Sequence, residues 1–168
     1  MSQISFKAPW GRIWGLSFGN QNAKTKVVCL HGWQDNCGLF RPLIEKMDLE
    51  KRHYIALDFM GHGLSDPMPL GLPYNFINYC YGLQYVINEA KFDKFILMGH
   101  SMGGNVAGMY ASLFPENIEK LILFDSAGMP LIREDWGGHV RKSIEKTTVN
   151  DSREQRPNPA YTKVQWCS

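Results

Sequence analysis

Apolar residues along the chain fall into short runs that alternate with stripes at helical spacing. Ile4–Ser5–Phe6 and Ile13–Trp14–Gly15–Leu16 alternate roughly every second residue on either side of "APWGR", which predicts an antiparallel hairpin or edge pair. Val27–Val28–Cys29–Leu30 is apolar throughout, as a strand covered on both faces would be. After a Gly-rich turn, Leu39, Phe40, Leu43, Ile44 and Met47 stand at helical spacing. The alternation then repeats. Tyr54–Ile55–Ala56–Leu57 predicts a second buried strand ending at Asp58, and the loop "SDPMPLGLPYN" separates it from the helical stripe Phe76, Cys80, Leu83 and Ile87. Phe95–Ile96–Leu97–Met98 predicts a third, followed by a helix from Met102 to Phe114 that Pro115 stops. Leu121–Ile122–Leu123–Phe124 is the fourth, ending at Asp125.

Strands separated by helices need crossover connections, so the expected class is α/β: a mostly parallel sheet with helices on both faces and an antiparallel start. Residues 1–128 carry this rhythm. In 129–168 it stops: Trp136 to Lys146 holds one helix with Val140 and Ile144 inward, and the polar, proline-bearing stretch from Thr147 has no period.

Composition narrows the function classes. The 168 residues are 44% hydrophobic and 20% charged, which suits one globular domain with a real core. The net charge is +2 with no basic stripe, so nucleic acid is not an expected partner. No apolar run approaches a membrane span, and "MSQISFKAPWGRIWG" lacks the form of a secretory signal. Cys29, Cys37, Cys80 and Cys167 lack metal-ligand or redox spacing and read as reduced thiols. The expectation is an intracellular, cytoplasmic protein, with peroxisomal or vesicular association left open. No cofactor or metal is implied: Gly61-His62-Gly63 lacks the third glycine of a dinucleotide fingerprint, and no phosphate-binding loop motif occurs.

In an open α/β sheet, ligands gather at the carboxyl ends of the strands. Those ends read His31-Gly32-Trp33-Gln34-Asp35, Asp58-Phe59-Met60-Gly61-His62-Gly63-Leu64-Ser65, Gly99-His100-Ser101-Met102-Gly103-Gly104 and Asp125. Gly99-His100-Ser101-Met102-Gly103 fits G-x-S-x-G between a strand and a helix. A turn that sharp leaves no room for side chains two positions either side of the serine. It also exposes the hydroxyl at a helix N-terminus, which favours developing negative charge. The bland alternative is a glycine-rich turn with Ser101 as a helix cap. The Met102 N–H and an N–H from the loop after the first buried strand, for which Trp33 is the natural donor, would form an oxyanion hole. His31 and His62 are expected to fix their own loops by hydrogen bonds, and Asp58 to anchor the "GHGLS" turn. His100 belongs to the elbow with its ring turned from the serine, and His53 reads as solvent-facing.

"HGWQDN", "DFMGHGLS" and "GHSMGG", in this order and spacing, resemble the α/β-hydrolase superfamily, most closely the serine hydrolase-like proteins; the resemblance runs from about Phe6 to Gly128. It implies the N-terminal part of that fold, with Ser101 as nucleophile, Trp33 and Met102 as oxyanion donors, and Gly32, Gly99, His100 and Gly103 shaping the loops. Because the nucleophile is serine, it implies hydrolysis of an ester or related acyl bond in a small molecule, through an acyl-enzyme.

In that superfamily the acid and the histidine follow the serine. Only His139 lies beyond Ser101, in the irregular segment where the resemblance places the start of a cap. It reads as a surface histidine rather than a base. Asp125 carries two readings, catalytic acid or turn cap. The expectation is therefore a truncated form lacking the last strands, weakly active or inactive, and able to self-associate through an uncovered sheet edge. The alternative is a non-catalytic product that binds an acyl ligand or a partner through the same fold.

Overall fold

The computed structural model describes residues 1–126, Gly138 and residues 140–146. Strands β1 (Ser2–Ala8) and β2 (Gly11–Gly19) form the expected hairpin, turning at Pro9-Trp10. They are followed by β3 (Thr25–Leu30), β4 (Arg52–Leu57), helix α2 (Phe76–Ala90), β5 (Phe95–His100), α3 (Met102–Leu113) and β6 (Ile118–Phe124). A 3-10 turn (Cys37–Phe40) runs into the single-turn α1 (Arg41–Ile44) between β3 and β4.

The strands make one sheet in the order β1-β2-β4-β3-β5-β6, parallel from β4 to β6 and antiparallel from β1 to β4. Because successive side chains along a strand point to opposite faces, each continuous apolar run feeds two cores at once. Val28, Leu30, Ile55, Leu57, Phe95 and Leu97 pack under α2 and α3. Their neighbours Val27, Cys29, Tyr54, Ala56 and Met98 pack with Cys37, Phe40 and Ile44 on the other face. Helices therefore cover both faces, as expected.

Residues 140–146 are helical. Ile144 is fully buried in the α2/α3 core and Val140 packs against it. Arg141 pairs with Glu116 beside the end of α3, and Tyr81 Oη meets Ser143 Oγ at 2.8 Å. The boundary expected at residue 128 lies outside the described residues.

The structure corrects two expectations. The stripe from Leu39 to Met47 makes only a 3-10 turn and one α-turn; Leu39, Leu43 and Met47 are exposed, and only Phe40 and Ile44 reach the sheet. Pro42, the second residue of the α-turn, carries no N–H to donate back into the preceding 3-10 turn. His53 is not solvent-facing. Gly19 at the end of β2 pairs opposite it, and its Nε2 lies 2.9 Å from Ser17 Oγ inside the sheet. At the other edge, β6 has β5 as its one strand neighbour among the described residues, and Leu121, Leu123 and Phe124 stay exposed.

Candidate active site

Ser101 sits where β5 becomes α3, with φ 51° and ψ −117°. Few side-chain-bearing residues adopt this backbone, and holding it costs about 1–3 kcal/mol. Hydrogen bonds on both sides hold it. The Ser101 N–H donates to the Phe124 carbonyl at 3.0 Å, while the Ser101 carbonyl accepts from Gly104 at 2.9 Å and Asn105 at 3.2 Å, opening the helix. A Cβ on Gly99 would overlap the Gly103 carbonyl, and one on Gly103 would overlap the carbonyls of Leu30 and His31. The glycines therefore meet a steric requirement of the crossing. Ser101 makes no side-chain cap hydrogen bond, which removes the main support for the helix-cap reading.

Met102 is the first residue of α3, so its N–H has no acceptor within the helix. Among the described residues neither it nor the Trp33 N–H has a hydrogen-bond acceptor. The Trp33 indole is 72% exposed, and Gln34 follows it with φ 58°. Gly32 lies against the elbow: a Cβ there would stand 3.3 Å from Ser101 Cβ and 3.2 Å from His100 Nδ1. His100 Nδ1 is buried without a partner.

His31 is wholly buried, with Nδ1 2.6 Å from the Gly32 carbonyl and Nε2 accepting the Phe59 N–H at 3.0 Å. Burial pushes its pKa down and the neighbouring His62 adds to this; the Gly32 carbonyl, Asp58 and Asp35 pull the other way. His62 Nδ1 lies 3.1 Å from the Met60 carbonyl, so this ring too serves its own turn. Asp58 is buried and accepts from Cys37 N–H at 2.6 Å and Leu64 N–H at 2.9 Å, tying the loops after β3 and β4 together. Phe59 and Phe124 could not be read from residue type in these roles, because both act through backbone atoms.

Asp125 follows β6, exposed and with φ 48°. Among the described residues no imidazole or carboxylate hydrogen-bonds Ser101 Oγ. His139 lies outside the described residues. No group of three or more His, Cys, Asp or Glu able to hold a metal occurs among the described residues. A small apolar cavity lined by Ile13, Leu30, Met60, Tyr79 and Leu83 lies under α2, apart from Ser101.

A strained serine between glycines at a strand-to-helix turn, packed beside the glycine of the loop after the neighbouring strand, is the arrangement the alpha/beta hydrolase fold is built around. The family model of that fold matches residues 25–156, and the chain belongs to that family. Its relatives include the serine hydrolase-like protein of Danio rerio, 36% identical over 163 residues, which cover 96% of this chain and 49% of that protein. A serine hydrolase-like protein of Mus musculus is 42% identical over 149 residues, covering 87% of this chain and 47% of that protein. The chain thus spans about half the length of the curated relatives it matches. Among solved structures, a hypothetical protein from Pseudomonas aeruginosa PAO1 superposes with a TM-score of 0.71 at 29% identity, over 96% of this chain and 56% of that one. An esterase from Exiguobacterium antarcticum superposes with a TM-score of 0.66 at 29% identity, over 79% of this chain and 49% of that one. Among the described residues no helix is long and apolar enough to cross a membrane.

Proposed function

We propose that this chain carries the nucleophile and oxyanion-binding part of a serine hydrolase that cleaves an ester or related acyl bond. The carrying observation is the elbow: Ser101 at φ 51° with its amide on the Phe124 carbonyl and its hydroxyl uncapped. In this reading Ser101 Oγ attacks the acyl carbon and its proton passes to a general base. Negative charge gathers on the carbonyl oxygen between the N–H groups of Met102 and Trp33. The carbon–oxygen bond breaks as the base returns its proton to the departing alcohol. Water, giving a proton to the same base, then releases the acyl group as the proton passes back to Ser101 Oγ. Asp125 is the candidate acid. No described imidazole stands beside Ser101 as the base, so turnover by this chain should fall about 10⁴–10⁶-fold below that of an intact triad, as in serine proteases lacking a triad member.

The lack of a described base at Ser101, together with the exposed Leu121, Leu123 and Phe124 of β6, favours a second reading. In that reading the fold binds an acyl ligand or a partner without catalysis. A fluorophosphonate probe and p-nitrophenyl acetate, applied to this chain and to Ser101→Ala, separate the two. Slow labelling that the alanine variant loses supports the hydrolase reading; equal background in both overturns it and leaves the binding role.

A further inference from the structure

We propose that His31, held as its neutral Nδ1–H tautomer, is the positioning residue that aims the Trp33 N–H at the oxygen of an acyl group on Ser101. This rests on the reading of Trp33 as an oxyanion donor. The tautomer follows from the partners. A backbone amide only donates, so the Phe59 N–H at 3.0 Å requires a lone pair on Nε2. The ring proton is then on Nδ1 and donates to the Gly32 carbonyl at 2.6 Å. The ring cannot turn freely, because Phe59 packs on it with centroids 4.9 Å apart and His62 at 5.2 Å.

The Gly32 carbonyl and the Trp33 N–H belong to one planar trans peptide and point in opposite directions. Fixing the carbonyl on the buried imidazole therefore fixes the amide away from it. The loop needs such an anchor, since the Trp33 side chain is 72% exposed and holds nothing. The anchored peptide begins at Gly32, in van der Waals range of Ser101. Protonation of His31 would set an Nε2–H against the Phe59 N–H, two donors face to face. The titratable groups around the ring are His62, Asp58, which is already engaged by Cys37 and Leu64, and Asp35, which accepts from Asn36 N–H. The loop should therefore loosen on acidification.

Two substitutions divide the ring's functions. His31→Asn retains a donor near the Nδ1 position and loses the acceptor for Phe59. His31→Gln retains an acceptor near Nε2 and loses the donor to Gly32. Each removes one buried hydrogen bond, so stability alone does not distinguish them. The probe is phenylboronic acid, whose boron accepts the Ser101 oxygen as the hydroxyl proton leaves to solvent, giving a tetrahedral adduct. Affinity should fall about tenfold or more in His31→Gln and only about threefold in His31→Asn, since one oxyanion donor is worth about 10²-fold or more in catalysis. The ratio of wild-type to His31→Asn affinity, in which the proton released by adduct formation cancels, should also fall as pH drops below the usual histidine range. Equal losses in the two variants, or the reverse order, overturn the positioning role. Equal behaviour of wild type and Ser101→Ala instead overturns the reading of Ser101. Independently of boronate binding, ¹⁵N spectra of the histidine-labelled chain should show His31 protonated on Nδ1, and the Trp33 amide should move more in His31→Gln than in His31→Asn. An Nε2–H tautomer, or an unmoved Trp33 amide, overturns the proposal.

Discussion

Asp58 accepts the backbone N–H of Cys37 at 2.6 Å, joining the end of β4 to the turn that follows β3. Its second carboxylate oxygen holds Leu64. Asp58→Ala would leave both donors without this acceptor inside the loops, at a cost of about 3 kcal/mol. Asp58→Asn keeps only one acceptor and should fall between. Urea midpoints for the three proteins check the order; an alanine variant as stable as wild type would remove Asp58 from the scaffold.

Ser101→Gly should make the protein more stable. Glycine enters the φ 51°, ψ −117° region with little penalty, so relief of about 1 kcal/mol is expected alongside complete loss of probe labelling. Thermal unfolding of the two proteins measures it, and a lower midpoint for the glycine variant contradicts the strain.

Gly103→Ala tests the crossing itself. The added methyl must displace the carbonyls of Leu30 and His31, costing about 2 kcal/mol or more and moving the Trp33 loop off the elbow. Labelling of Ser101 should drop although the serine remains. Unchanged stability and labelling would mean that the two segments tolerate separation.

Acid should weaken the fold through His53. Burial, with Lys26 nearby, holds its pKa below the ordinary 6.5. The unfolded chain therefore takes up a proton that the folded one resists. This stabilisation is full above about pH 6.5 and is lost as pH falls from there toward the folded-state pKa. His31 is shifted the same way and adds to the loss. Denaturation midpoints should decline across that window in wild type and decline less in His53→Asn. Parallel declines would assign the acid sensitivity elsewhere.

The buried strands were legible because a run such as Val27–Leu30 has no polar face to give to water. The glycines around Ser101 were legible because a steric demand leaves its mark on residue type. Sheet order was not, since nothing local in Gly11–Gly19 says that it will lie against β4. That pairing is also what buries His53, which beside Lys51 and Arg52 reads as surface. The Leu39–Met47 stripe has helical spacing, yet it forms only a 3-10 turn and a single α-turn, with Pro42 breaking the hydrogen-bond run between them. Ser101 and the glycines at the elbow were readable as types; Phe59 and Phe124 were not, because the atoms they contribute are common to every residue.

The Ser101 amide hangs on the last carbonyl of β6, a strand whose other side carries no described neighbour. The elbow is thus gauged from the rim of the sheet, the place where register is least defended. A slip of β6 by one residue would carry that carbonyl about 3.3 Å along the strand and turn every β6 side chain to the opposite face. Whatever clamps this rim also sets the angle at which Ser101 is held, so adhesion at the margin and geometry at the centre become one adjustable quantity.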